Sequence, residues 1–144
     1  MEYKTVKYSK DGRGVAKLTL NRPEVLNAMN LRMRTEQVKA FEEADRDPEV
    51  KILVITGAGR AFCAGLDVKE ASKTYGVKRS PWPETAGAGD IALRNVRKIT
   101  IAAVNGPAIG AGCDLALCCD FRMLSEKGSL WEAYARLMPP SAET

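Results

Sequence analysis

The residues best suited to chemistry lie in two turns of very small side chains, each following an apolar run. The first turn is Ala61-Phe62-Cys63-Ala64-Gly65-Leu66-Asp67, and the second is Asn105-Gly106-Pro107-Ala108-Ile109-Gly110-Ala111-Gly112. A carboxylate, Asp114, stands two residues past the last of these glycines. Backbone N–H groups are good donors to an oxygen that gains negative charge, because they need no reorganisation, and losing one such donor raises a barrier by ~3–4 kcal/mol. They need small neighbours so that a ligand can approach. Two such turns can supply one N–H each to the same oxygen, with Asp114 beside them as a general base. Ala111 and Gly112 open a predicted helix, whose N-terminus adds the positive end of its dipole. Either turn alone is equally explained by tight turning, and Asp114 alone by a stabilising place in a helix first turn. Asp67 reads as a helix cap and Asp120, between a helix and a strand, as structural.

Strand-like and helix-like segments must hold these turns. Val15 to Leu20 alternates as a half-buried strand does, and Asn21-Arg22-Pro23 ends it. Asn30 is placed to cap a helix whose Leu31, Val38, Phe41 and Ala44 share one face. Lys51 to Thr56 is nearly all apolar and predicts a strand buried on both faces, closed by Gly57-Ala58-Gly59. A short helix is expected from Leu66, an irregular stretch over 72–89, a helix over 90–98, a strand over 99–104, a helix over 111–118 and a strand over 121–124. Strands alternating with helices in this order imply right-handed crossovers and a largely parallel sheet in an α/β fold.

Composition narrows the chemistry. The chain has 144 residues, about one ordinary domain. It is 45% hydrophobic and 28% charged, which suits a soluble protein with a real core. No apolar run approaches the ~20 residues that a bilayer span needs. Met1-Glu2-Tyr3-Lys4 has no apolar core behind it and does not read as a secretory signal, so a cytoplasmic location is expected. There is no histidine, which removes histidine-based triads and histidine metal ligands. The four cysteines, Cys63, Cys113, Cys118 and Cys119, contain no CxxC pair and read as buried reduced thiols, not metal ligands. The net charge of +4 is mild, and its basic residues, Lys78, Arg79, Arg94, Arg97 and Lys98 among them, are not interleaved with aromatics as nucleic-acid binding would need. Gly57-Ala58-Gly59 lacks the third glycine of a dinucleotide fingerprint, and no P-loop occurs.

These motifs together resemble the crotonase superfamily, the enoyl-CoA hydratase/isomerase family. The resemblance rests on Leu18-Thr19-Leu20-Asn21-Arg22-Pro23 with Leu26-Asn27-Ala28-Met29, on Ile52 to Gly57, on Ala61 to Asp67, on Ala103 through Asp114, and on Cys119-Asp120-Phe121-Arg122. It implies a crotonase-like ββα spiral that binds acyl-CoA thioesters. The N–H groups of Leu66 and Ala111 would form the oxyanion hole, and Asp114 would be the general base and acid. Cys63, Ala64, Leu66, Asp67, Val68, Lys69 and Ala111 would line the substrate site, with Leu26 near the pantetheine or adenine end. No metal or redox cofactor is implied, since coenzyme A arrives as part of the substrate. A homo-oligomer, trimer or hexamer, is implied as well, with neither nucleic acid nor membrane as partner. Ala111 stands where many members have glycine; its N–H remains, while its methyl narrows the approach.

Two departures shape the expectation. Hydratases of this family use two glutamates about twenty residues apart; here the first position is Asp114 and the second falls near Tyr134, with Glu132 as a shifted candidate. Isomerisation is therefore favoured over hydration. Members are also nearly twice as long, so residues 1–128 read as the acyl-CoA-binding core and 129–144 as a divergent or truncated tail. The alternative expectation is an inactive truncated protein, or an assembly module that keeps the fold without turnover.

Overall fold

The computed structural model describes residues 3–70 and 88–133. Five strands form one sheet: β1 (Val6–Lys10), β2 (Val15–Leu20), β3 (Ile52–Gly57), β4 (Ile99–Val104) and β6 (Phe121–Leu124), in that spatial order. β1 and β2 are an antiparallel hairpin with Val6 opposite Leu20. Asp11 shapes its turn, its Oδ1 accepting from the N–H groups of Arg13 and Val15. From β2 onward the pairing is parallel. Two three-residue strands, β5 (Pro107–Ile109) and β7 (Ser129–Trp131), pair in parallel as a second small sheet. The longer helices among the described residues are α1 (Leu31–Arg46), α2 (Ala88–Arg94) and α3 (Ala111–Leu117), with a 3-10 turn over Pro23–Val25 and a helical turn over 68–70.

One face of the sheet carries the core. Ala16, Leu18 and Leu20 of β2, Leu53 and Ile55 of β3, and Ala102 and Val104 of β4 alternate into it and are fully buried or nearly so. On α1, the side chain of Asn30 accepts from the Met33 N–H, the expected cap. The buried stripe of α1 is Met33, Gln37, Ala40, Phe41 and Ala44, a spacing that follows one helical face. Leu31, expected on this face, is 55% exposed, and Val38 is half-buried. The helix is rotated so that Gln37, which donates to the Met29 sulfur, faces inward.

Other expectations shift as well. The outer face of β3 is half-buried rather than closed. α2 ends at Arg94, four residues short of the expected end, because Arg97 turns back onto α1. There its N–H and guanidinium bind Asp45 at 2.8–3.3 Å. Asp120 accepts from the N–H and the hydroxyl of Thr100, fixing the start of β4 next to β6, the structural role its position suggests. The expected irregular stretch lies almost wholly within 71–87, and Tyr134 lies beyond 133, so both fall outside the described residues. Among the described residues no helix is long and apolar enough to cross a membrane.

Candidate functional site

The first turn is built on polar side chains that replace a regular ladder. Asn27 is fully buried in a left-handed conformation (φ 58°). Its amide donates to the carbonyls of Ala58, Ala61 and Phe62, and its oxygen accepts from the Arg22 N–H. Asn105 grips the same loop from β4: its oxygen accepts from the Gly57 N–H and its amide donates to the Gly59 and Ala61 carbonyls. Glycine is required where these chains cross. A Cβ on Gly57 or on Gly106 would collide with backbone of residues 60–62.

Beyond this clamp the chain passes between Met29 on one side and β5 on the other. The Phe62 and Cys63 N–H groups donate to the Pro107 carbonyl, and the Ile109 N–H donates to the Cys63 carbonyl. The Ala64 N–H donates to the Leu26 carbonyl, and Leu26 itself is held left-handed (φ 52°). Such strain in a non-glycine residue is found where surrounding contacts over-determine the backbone. Met29 then brackets Leu66, donating to the Gly65 carbonyl at 2.7 Å and accepting from the Asp67 N–H at 3.0 Å. This is a parallel bridge in which both groups of Met29 are used by the neighbours of Leu66. The Leu66 N–H therefore points away from Met29. The Gly65 N–H reaches the Cys63 sulfur. Of the N–H groups from Phe62 to Asp67, that of Leu66 is the one without an acceptor among the described residues.

The second turn meets the first at this point. Gly65 adopts φ +96°, and a Cβ there would lie 2.8 Å from the Ile109 carbonyl oxygen and 3.7 Å from the Ala111 nitrogen. A Cβ on Gly112 would collide with the Cys63 carbonyl and lie 2.7 Å from the Cys63 Cβ. The small residues of both turns are thus a packing requirement of their crossing. α3 starts at Ala111 after Gly110, which offers no side-chain cap, so the Ala111 N–H has no acceptor among the described residues. The crossing thus sets Gly65, the residue before Leu66, against Ala111 at the start of α3, and Asp114 lies in the first turn of that helix.

The remaining expected residues fall around this centre. Asp67 is the cap of the helical turn over 68–70, accepting from the Lys69 and Glu70 N–H groups. It also accepts from Arg22, whose guanidinium bridges the Ala28 carbonyl (2.6 Å) and Asp67 Oδ2 (3.0 Å). Burial opposes ionisation of Asp67, but Arg22 and the two N–H donors outweigh it and hold the carboxyl below its usual range. Val68 and Lys69 are exposed, Ala64 is half-buried, and Cys63 is buried. The Cys63 thiol, pushed up to about 12 by burial, donates to the Asn27 carbonyl and is part of the scaffold. All four cysteines are free thiols. Burial and a hydrogen bond to Glu132 push the Cys113 thiol up to about 11, which sets Glu132 against α3.

Three residues escaped the sequence reading as functional candidates. Arg22 and Asn27 act on partners more than thirty residues away, and nothing in their own neighbourhood signals it. The third is Asp90 on α2. Its carboxyl is raised to about 6, first by burial and then by the negative charge of Asp114, against the opposing charges of Arg34 and Arg94.

A mainly parallel sheet with helical crossovers and two small-residue turns that cross at a helix start fit the crotonase type of ββα fold. The comparisons agree with that class. A family model described as enoyl-CoA hydratase/isomerase matches residues 10–138. A probable enoyl-CoA hydratase of Mycobacterium tuberculosis is 37% identical over 137 residues, covering 95% of this chain and 52% of that protein. A probable peroxisomal enoyl-CoA hydratase of Arabidopsis thaliana is 34% identical over 132 residues, covering 91% of this chain and 48% of that protein. The crystal structure of a putative enoyl-CoA hydratase/isomerase from Mycobacterium abscessus superposes with a TM-score of 0.84 at 32% identity, covering 92% of this chain and 52% of that one. The chain belongs to the enoyl-CoA hydratase/isomerase family. It spans about half the length of the relatives it matches.

Proposed function

We propose that this chain binds acyl-CoA thioesters and stabilises their enolates, with Leu66 and Ala111 N–H groups as the oxyanion hole and Asp114 as the proton carrier. What supports this reading is that the N–H groups of Leu66 and Ala111 have no acceptor among the described residues, and that Gly65, beside Leu66, packs against Ala111. A thioester oxygen accepting from both would stand beside Asp114. Family membership supplies the substrate class. Leu26, Cys63, Ala64, Asp67, Val68 and Lys69 flank the same turn and would line the rest of the acyl-CoA site. Coenzyme A comes with the substrate, and no separate cofactor is needed for this chemistry.

The favoured reaction is a shift of a double bond. The Asp114 carboxylate takes a proton from C2 of a 3-enoyl thioester. The electron pair of the broken C–H bond moves toward the thioester, and the negative charge on its oxygen is held by the two N–H groups. The same carboxyl returns the proton at C4, leaving the double bond between C2 and C3. Hydration needs a second acid, and a phenol at the Tyr134 position, with an ordinary pKa of ~10, is a poor one. Assembly into a trimer or hexamer belongs to the same reading.

Calorimetric titration should show tighter binding of acetyl-CoA than of ADP, and equal affinity would remove the thioester from the reading. Turnover of a 3-enoyl-CoA above that of crotonyl-CoA is the expected activity. A chain that binds acyl-CoA and turns over neither would be an inactive family member.

A further inference from the structure

We propose that the groove between α1 and the start of α2 receives the apolar tail of the acyl group, so that medium-chain acyl thioesters are taken in preference to short ones. This deepens the reading above and rests on it for the thioester itself.

The groove has a volume of about 410 Å³, which is the size of a small-molecule site. Leu31, Arg34 and Val38 of α1 line it together with Gly89 of α2, and Lys39 and Glu42 line it further along α1. Leu31 and Val38 lie off the buried stripe of α1: Leu31 is 55% exposed and Val38 is half-buried. Gly89 leaves the space beside it open, since a Cβ there would meet nothing within 4 Å. Along the helix the step from Leu31 to Val38 is about 10 Å. An extended chain of about eight carbons has that length.

One end of the groove is tied to the turn that carries Leu66. Met29, two residues before Leu31, donates its N–H to the Gly65 carbonyl at 2.7 Å and accepts from the Asp67 N–H at 3.0 Å. The Leu31 N–H itself donates to Glu70 Oε1 at 3.3 Å, in the helical turn that follows Asp67. Leu31 is therefore held beside the turn of the proposed oxyanion donor. The α2 wall leads toward α3, against which α2 packs. Asp90, next to Gly89, is raised to about 6 by burial and then by the charge of Asp114, against Arg34 and Arg94. Arg34 of the groove and Asp114 thus act on the same half-buried carboxyl. This continuity makes the occupant the substrate's own acyl chain.

The lining sets the chemistry and the length of that chain. Leu31 and Val38 present branched apolar surface, and the Arg34 stem adds methylenes. Each methylene laid on this surface leaves water and strengthens binding in proportion to the area covered. An acetyl group ends at the thioester and gains nothing from the groove. A tail longer than the groove reaches Lys39 and Glu42, whose charges lose water without gaining a partner. The preference therefore rises from two carbons to about eight and then stops rising.

The test is calorimetric titration of the 144-residue chain with acetyl-CoA, octanoyl-CoA and dodecanoyl-CoA. Octanoyl-CoA should bind at least about tenfold more tightly than acetyl-CoA, and dodecanoyl-CoA no more tightly than octanoyl-CoA. Val38→Trp fills the groove from a half-buried position and should abolish the octanoyl advantage while leaving acetyl-CoA affinity unchanged. Leu31→Asn, at an exposed position, should weaken octanoyl-CoA about fivefold and leave acetyl-CoA unchanged, and it decides the matter if Val38→Trp does not fold. Equal affinity of the wild type for acetyl-CoA and octanoyl-CoA overturns the tail site and leaves the thioester reading standing. So does an octanoyl preference that ignores the substitutions, or a loss that falls equally on both ligands. Binding of both thioesters no tighter than of ADP overturns the thioester reading and the tail site with it.

Discussion

Asp67 and Asp90 are the same residue type, both partly buried and both within a few residues of a helix start, yet the protein treats them oppositely. Asp67 receives a guanidinium and two backbone N–H groups and is held below the usual carboxylate range. Asp90 is raised to about 6 by burial and by a like charge. The difference lies in what each is given to bind. Around Asp67 the carboxylate is fully engaged, and among the described residues the turn from Phe62 to Asp67 leaves one N–H, that of Leu66, without an acceptor. Around Asp90 two carboxyls compete, and the result is a proton of changed affinity.

The largest effect should come from Asp114. Asp114→Asn keeps the shape and removes the proposed base, so turnover of a 3-enoyl-CoA should fall by ~10²–10⁴. Acyl-CoA affinity measured by calorimetry should persist, because the Leu66 and Ala111 donors are main-chain groups. Unchanged turnover would return Asp114 to the role of a first-turn helix carboxylate.

The rigid side can be broken next. At a fully buried position Asn27→Ala removes a donor from the Ala58 and Phe62 carbonyls and an acceptor from the Arg22 N–H, while the Ala61 carbonyl keeps the Asn105 amide. Each unsatisfied buried group costs about 1–3 kcal/mol, so a loss on the order of 3 kcal/mol in denaturant unfolding is expected. A loss below about 1 kcal/mol would mean that the loop over 57–62 holds without it.

How much of this was legible in the sequence follows from where the signals lie. β2, β3, β4, β6 and α3 show in apolar runs and small-residue turns, and α1 shows in its Asn30 cap. β1 does not show, because Val6 is its one buried residue and the rest of this edge strand is polar or half-exposed. β5 and β7 are three-residue strands that become strands only through pairing with each other across about twenty residues. The inward face of α1 misleads because a glutamine occupies it. At the site, the turns around Leu66 and Ala111 are visible because close crossing demands glycine and alanine, a local signature. The Arg22–Asp67 pair and the influence of Asp114 on Asp90 are products of the tertiary fold, spanning 45 residues in the first case, and no local pattern encodes them.

A smaller effect is expected at Arg22. Its pair with Asp67 is largely shielded, with side chains 17% and 15% exposed. Arg22→Gln should lose about 2 kcal/mol, between the values for exposed and buried pairs. Asp67→Asn should lose a similar amount, and the double variant should lose less than the sum, a coupling that a double-mutant cycle reads directly. The Asp67 contribution has a definite sign with pH. Its carboxyl is depressed in the folded state, so its stabilisation is complete above about pH 4 and is lost as the pH falls through its folded value. Full additivity of the two losses would show that the pair does not act as a unit.

The smallest effect sharpens the comparison most, because it reverses sign. Asp90 is raised in the folded chain, so the folded state binds its proton more tightly than the unfolded one. Its stabilisation is fully present below about pH 4, the unfolded value, and is lost as the pH rises through about 6. At pH 7.5 the ionised Asp90 therefore works against folding. Asp90→Asn removes that charge and should raise stability there by on the order of 1 kcal/mol, after discounting for partial solvent screening of a half-exposed group. Asp67→Asn destabilises at the same pH. Urea unfolding of the two variants at pH 7.5 and pH 4 should show the Asp90→Asn gain shrinking toward zero at the lower pH. A stabilisation that persisted unchanged at pH 4 would come from packing rather than from the proton, and a destabilisation at pH 7.5 would make Asp90 a second structural anchor like Asp67.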